Sequence, residues 1–235
     1  MAVNHAQVSR QNQLTVPPAN DVAKLRHVFQ NIHATSCPLD YNFHLHTVCS
    51  DGQLQPEQLI EQATKLGLQG IAITDHHTVA GYEIAQTWLD LQLSLEELPH
   101  LWTGVEITAN LLGTEVHILG YGFYVDRPSI EPYLQGKAPK EEQAQASSVI
   151  RAIQQAGGLA VLAHPMRYRQ PGEELIMAAV QLGIDGVETY YAYNNPFPWT
   201  ASPNQSQQVK QLSNYYHLLN TCGTDTHGTD ILRRI

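Results

Sequence analysis

From Tyr41 onward the chain alternates short apolar runs with stretches of helical period, and nearly every run ends in a histidine, an aspartate or a glutamate. No other feature limits the fold as much. The runs predict strands at 41–46, 70–74, 102–108, 115–123, 159–163, 186–191 and 218–223. Apolar residues recurring every three or four positions predict helices at 56–66, 83–93, 141–155, 173–182 and 204–216. Strands alternating with helices imply an α/β protein with a mostly parallel sheet and right-handed crossovers. Seven such units in sequence favour a barrel over an open sheet.

Ahead of this region, residues 1–18 are polar, hold Pro17 and Pro18, and show no period, which predicts a loose arm. Asn20 is placed to cap a helix through Val22, Leu25, Val28, Phe29 and Ile32. A chain of 235 residues can build one large core. The expected division is therefore an N-terminal arm and accessory helix at 1–38, and one main domain at 39–235.

Composition excludes several classes. The net charge of −9 repels phosphate polymers, so no extended nucleic-acid surface is expected. Cys37, Cys49 and Cys222 form no CxxC pair and leave one over, which predicts neither a disulfide framework nor a thiolate zinc cluster. A reducing, cytoplasmic setting follows. No signal peptide and no membrane span can be read.

The reactive residues are concentrated where an active site belongs. The first run delivers His44 and His46, with Asp51 just beyond; the second ends in Asp75, His76 and His77. Glu106, His117, His164 and Glu188 follow on later runs, and the last ends in Asp225 and His227. In parallel barrels the C-terminal strand ends share one rim, so these groups would face one another. Each alone has a plain explanation. An HxH pair points both rings to one face of a strand but is also compatible with two ordinary half-buried histidines. The Asp75 region could be a helix cap, and His164 a satisfied core histidine. Glu106 is harder to dismiss, because an unpaired buried carboxylate costs several kcal/mol. Jointly, seven of the twelve histidines fall at or beside strand ends. Imidazole with carboxylate is the donor set of zinc, iron and manganese. One ion takes about four protein ligands, so nine candidates imply about two or three ions.

The ordered series HLHTVCSDG, ITDHHT, GVEITA, EVHILGYG, LAHPMRY, GVETYY and GTDTHG resembles the PHP (polymerase and histidinol phosphatase) family across residues 41–228. The resemblance implies a distorted (β/α)7 TIM-like barrel with a trinuclear metal site. Carried over by position, it implies a first metal held by His44, His46, Glu106 and Asp225, and a second by Glu106, His117 and His164. A third would be held by Asp51, His76 and His227. Asp75 would orient a ligand, and His77 is read as structural or substrate-facing. Glu188 is left unassigned.

Clustered divalent ions acidify a water and clamp phosphoryl oxygens, which suits hydrolysis of a phosphate ester. Arg167 and Arg169 could donate to that phosphate, or could be solvated loop cations; the resemblance favours Arg167. His77 and His227 are the candidates for protonating the leaving group. The loop holding Tyr190, Tyr191, Tyr193, Phe197 and Trp199 could stack a base or simply cover the barrel mouth. Residues 92–101 and 125–139 are the expected places for substrate-specific structure. The reaction expected is hydrolysis of a small nucleotide ester, a 3',5'-bisphosphate or the 5' end of a short RNA. Histidinol phosphate, phosphotyrosine and a noncatalytic binding module are the competing readings.

Overall fold

The chain is seen here as a computed structural model that describes residues 18–92 and 97–235. Most of the expected arm and the end of the second expected helix, Leu93, lie outside the described residues, as does part of the 92–101 segment. β1 (Tyr41–Asn42), β2 (Gly70–Ala72) and β3 (His100–Trp102) form a parallel three-stranded sheet. β4 (Gly104–Leu111), β5 (Thr114–Tyr121), β6 (Leu159–Leu162), β7 (Gly186–Tyr190) and β8 (Leu219–Cys222) form a second sheet in that order. Around them lie α1 (Val22–Asn31), α2 (Pro56–Leu66), α3 (Ala80–Asp90), α4 (Ala146–Gln155), α5 (Gly172–Gln181) and α6 (Pro203–Tyr215).

Local chemistry explains most boundaries. α2 starts on Pro56, whose ring presets a helical φ, and stops at Gly67, whose φ of 71° is left-handed. Its Leu59, Ile60 and Ala63 are buried against β2 and α3. α1 is capped by Asp21, which accepts from the Lys24 N–H at 3.0 Å, and not by the expected Asn20. The expected helix at 141–155 is broken: Glu141–Ala144 is a 3-10 turn, and Gln145 is extended before α4 begins.

Two departures change the architecture. The run expected as one strand at 102–108 is divided at Thr103, so the described residues hold eight strands. Gly104 passes so close to β2 that a Cβ there would lie 2.4 Å from the Ile73 carbonyl oxygen. Then Leu112 and Gly113, with φ of 55° and 76°, close a two-residue turn. So short a link cannot carry a parallel crossover. β5 consequently runs antiparallel to both β4 and β6, while β6, β7 and β8 are parallel. The sheet is mixed, contrary to the nearly parallel one expected.

Nor do the sheets close into the expected TIM-like barrel. They meet through isolated parallel bridges, Leu45 with Thr226 and His76 with Glu106, and through the Phe43 N–H, which donates to the Cys222 carbonyl at 3.1 Å. The result is a mixed α/β fold whose two sheets touch where the reactive residues lie.

α1 is integral to this packing. Leu25 and Phe29 are fully buried in a cluster with Phe43, Trp102 and Tyr121, and the Phe29 and Phe43 rings meet edge to face at 4.9 Å. Burying each such side chain contributes about 1.5–3 kcal/mol. Because Phe43 precedes His44, the helix braces the first metal-ligand candidate.

The same packing brings Cys37, after α1, to Cys222 on β8, and the two form a disulfide across 185 residues. This overturns the expectation of no disulfide, and with it the cysteine argument for a reducing compartment. Cys49 is free. No helix among the described residues is long and apolar enough to cross a membrane.

Closing so long a loop constrains the unfolded chain, a contribution of about 2–4 kcal/mol. Cys37→Ser, or treatment with a phosphine reductant, is therefore expected to lower the melting temperature in calorimetry. An unchanged melting temperature in both would show that the bond contributes nothing.

Candidate metal centre

His44 and His46 leave β1 where regular pairing has ended, and both rings are fully buried. The neighbouring strand must come very close: a Cβ on Gly223 would lie 2.2 Å from that of His44. Only glycine lets β8 pass there and turn Asp225 inward. The bridge between His76 and Glu106 joins the ends of β2 and β4, and pairing of β4 with β5 sets Glu106 beside His117. His164 follows β6, and His227 lies past β8.

The nine expected ligand positions are all brought together. One group of donor atoms within 4.8 Å of one another comes from His44, His46, Glu106 and Asp225; a second from His46, Asp51, His76 and His227. A third comes from His76, Glu106 and His117, and a fourth from His44, His164 and Glu188. His164 Nε2 lies 3.4 Å from Glu106 Oε1, so Glu106 joins several groups.

Electrostatically the centre is a core of buried charge. Burial alone would keep Glu106 and Asp225 protonated, but the surrounding imidazoles hold both far below the usual carboxylate range. Burial likewise disfavours a proton on His44, yet Glu106, Glu188 and Asp225 outweigh it and raise its pKa well above the ordinary value. His46 is driven the same way by Asp225 and Glu106, to about 9. Its Nε2 is 3.1 Å from Glu106 Oε2 and 3.3 Å from Asp225 Oδ1. Both ring nitrogens are without a well-formed hydrogen-bond partner among the described residues, and it is the closeness of these two carboxylates that favours the proton. His76 is pushed down to about 4, chiefly by burial.

Both ring nitrogens of His164 are also buried and unpartnered among the described residues. Four orphaned imidazole nitrogens beside two buried carboxylates are costly in a protein interior unless something fills the gap. Divalent cations fit this donor set.

Some sequence expectations fall elsewhere. Asp75 does not reach His76: its oxygens accept from the Thr47 N–H, Thr47 Oγ1 and Ser50 Oγ, each at 2.7 Å, and so pin the loop that presents Asp51. His77 has a left-handed backbone, φ 57°, and its Nε2 is 3.1 Å from Thr108 Oγ1. Arg167 does reach the centre, with Nη1 donating to Asp225 Oδ2 at 3.2 Å. Arg169 does not; it lines a neighbouring cavity of about 560 Å³ with Met166, Tyr168, Gln208 and Leu212. Tyr191 turns inward, and its Oη donates to Asp225 Oδ2 at 2.7 Å.

Two contributors, Tyr168 and Arg234, were not legible as site residues, and Glu188 was legible but unassigned. Tyr168 Oη accepts from the His117 N–H at 2.8 Å, and Arg234 Nε donates to Asp225 Oδ2 at 2.9 Å. Glu188, fully buried, accepts from His44 Nδ1 at 2.9 Å and from the His164 N–H at 2.8 Å. It fixes the His44 tautomer, leaving Nε2 to face Glu106 and Asp225. The signal available for Glu188 was a carboxylate inside an apolar strand; for Arg234 there was none.

Carboxylates that orient a ligating imidazole typically matter about 10- to 100-fold for metal affinity or activity. Glu188→Gln is expected to weaken metal binding by that factor in competition with a chelating dye. Wild-type affinity in the variant would contradict the orienting role.

Comparison with known proteins gives the family. The PHP domain model matches residues 42–226. The 5'-3' exoribonuclease of Haemophilus influenzae is 24% identical over 258 positions, covering 80% of this chain and 89% of the relative. The 5'-3' exoribonuclease Rnm of Escherichia coli is 30% identical over 265 positions, covering 82% and 87%. Both alignments are longer than this 235-residue chain, so each relative has segments without a counterpart here. A crystal structure from Bifidobacterium adolescentis, of a protein predicted to be a metal-dependent phosphoesterase, superposes with a TM-score of 0.65 at 25% identity, covering 80% of this chain and 88% of that one. The chain belongs to the PHP domain family and is a hydrolase, a metal-dependent phosphoesterase of that family.

Proposed function

We propose that this enzyme hydrolyses a phosphate ester of a small nucleotide, a 3',5'-bisphosphate or the 5' end of a short RNA. The observation that carries the reading is the convergence of nine ligand-type side chains around the orphaned nitrogens of His46 and His164, with Arg167 at the same place. Two relatives named as 5'-3' exoribonucleases support a nucleotide substrate. So does a shorter match, 34% identical over 91 residues, to a phosphoribosyl 1,2-cyclic phosphate 1,2-diphosphodiesterase of Eggerthella lenta; it covers 38% of this chain and 33% of that protein. The net charge of −9 disfavours a long polyanion and favours a small ligand drawn to a locally positive site.

About two or three divalent ions, manganese, zinc or iron, would be held by His44, His46, Asp51, His76, Glu106, His117, His164, Asp225 and His227. When bound, they supply Lewis acidity that activates water and neutralises charge on the phosphoryl oxygens. The side chains do the rest. Glu106 and Asp225 would balance the cations from buried positions. Asp75 acts at one remove, keeping Thr47 and Ser50, and hence Asp51, in place.

Arg167 meets the substrate phosphate with the donors it does not spend on Asp225. Arg169 lies beside the adjoining cavity, where the nucleoside beyond the scissile phosphate would extend. His227 Nδ1 is 2.8 Å from the Asp225 carbonyl, which commits Nε2 to the ligand side. His77 is then the better partner for the leaving oxygen. Burial lowers its pKa, so it would offer that oxygen a hydrogen bond rather than a proton.

The test is phosphate release from a nucleoside 3',5'-bisphosphate, a 5'-phosphorylated oligoribonucleotide, histidinol phosphate and phosphotyrosine, compared by kcat/KM. Manganese-stimulated turnover highest on the nucleotides, and its loss in His44→Ala and Glu106→Ala, is expected. Full activity after chelation of metals would contradict the proposal.

A further inference from the structure

Residues beyond the last motif fold back onto the metal centre. Ile231 is fully buried, and its carbonyl accepts from Asn42 Nδ2 and Thr224 Oγ1, each at 3.0 Å. Gln62 accepts from the Ile231 N–H at 3.1 Å and donates to the Thr229 carbonyl at 3.0 Å. Thr226 Oγ1 donates to the Arg233 carbonyl at 2.7 Å, and the His227 N–H donates to the Arg234 carbonyl at 2.6 Å. These bonds hold the backbone around Arg234 beside the site, and its side chain reaches Asp225.

What it meets there is unusual. Asp225 Oδ2 receives Arg234 Nε at 2.9 Å, Arg167 Nη1 at 3.2 Å and Tyr191 Oη at 2.7 Å. Oδ1 of the same carboxylate faces His44, His46 and His227 at 3.4, 3.3 and 3.5 Å. Tyr191 and one arginine would suffice to hold Oδ2. A second cation adds like-charge repulsion to a pairing that already has its countercharge.

The surplus makes sense toward an anion. Arg234 uses only Nε, and Arg167 only Nη1, in hydrogen bonds among the described residues. The side chains are 22% and 43% exposed. Two forks of unused donors therefore open beside the metal centre from a shared anchor, and a guanidinium fork matches the oxygens of a phosphate.

We propose that Arg234, paired with Arg167 on Asp225, is a substrate-binding residue that grips the non-bridging oxygens of the phosphoryl group at the metal centre. This rests on the phosphoesterase reading above and adds a binding residue from the tail.

The experiment measures inorganic phosphate binding to the metal-loaded protein by calorimetry, and KM and kcat on the best substrate, for wild type, Arg234→Gln, Arg234→Lys and Arg167→Gln. Loss of one charge-assisted contact is expected to weaken phosphate binding about 10-fold or more in Arg234→Gln, with wild-type metal content. KM should rise more than kcat falls, and Arg234→Lys should recover part of the loss. Unchanged phosphate affinity in Arg234→Gln with metal retained would overturn the proposal. So would loss of metal in both Arg234 variants, which would make Arg234 only a positioner of Asp225. If wild type binds phosphate but cleaves none of the esters, the proposed function fails while the phosphate titration still decides the role of Arg234.

Discussion

Two carboxylates, Glu106 and Asp225, are about 1% exposed in the middle of this molecule, and every feature of the site follows from what must be done with their charge. Taking such groups out of water costs several kcal/mol each unless positive charge and hydrogen bonds surround them. The chain answers with His44, His46, His117 and His164 around Glu106, and with Arg167 and Tyr191 on one oxygen of Asp225, which Arg234 also reaches. The imidazoles bring a second problem, since some of their nitrogens find no partner among the described residues. Divalent cations would resolve both at once.

The fold is arranged to make that meeting possible. Because the tight turn at Leu112 and Gly113 reverses the chain, β4 and β5 put Glu106 and His117 side by side. Gly223 allows β8 to approach His44 closely, and the Cys37–Cys222 disulfide ties α1 to that same strand. The two sheets touch mainly through bridges that adjoin site residues, Leu45 to Thr226 and His76 to Glu106. The seam between the sheets thus coincides with the candidate metal centre.

Much of this was legible in the residues. Histidines two positions apart in HLH, and acids closing apolar runs, carry a period-two signal that survives without coordinates. Helix 56–66 was readable because proline and glycine mark its ends. What escaped depends on contacts between distant positions. The disulfide joins cysteines 185 residues apart, and no spacing rule applies at that range. The antiparallel hairpin was hidden because both its strands look like ordinary parallel runs. The partners of Asp75 sit on a different loop, so proximity in sequence pointed wrongly at His76. Arg234 follows the last motif, and only the return of the tail gives it a role.

The account stands on cations filling the space between these buried groups, and counting them is the most direct test. Elemental analysis of protein loaded separately with manganese, zinc or iron and freed of excess should find about two or three ions per chain, falling when His46 or Glu106 is replaced by alanine. A folded chain that retains none of these metals would contradict the central claim.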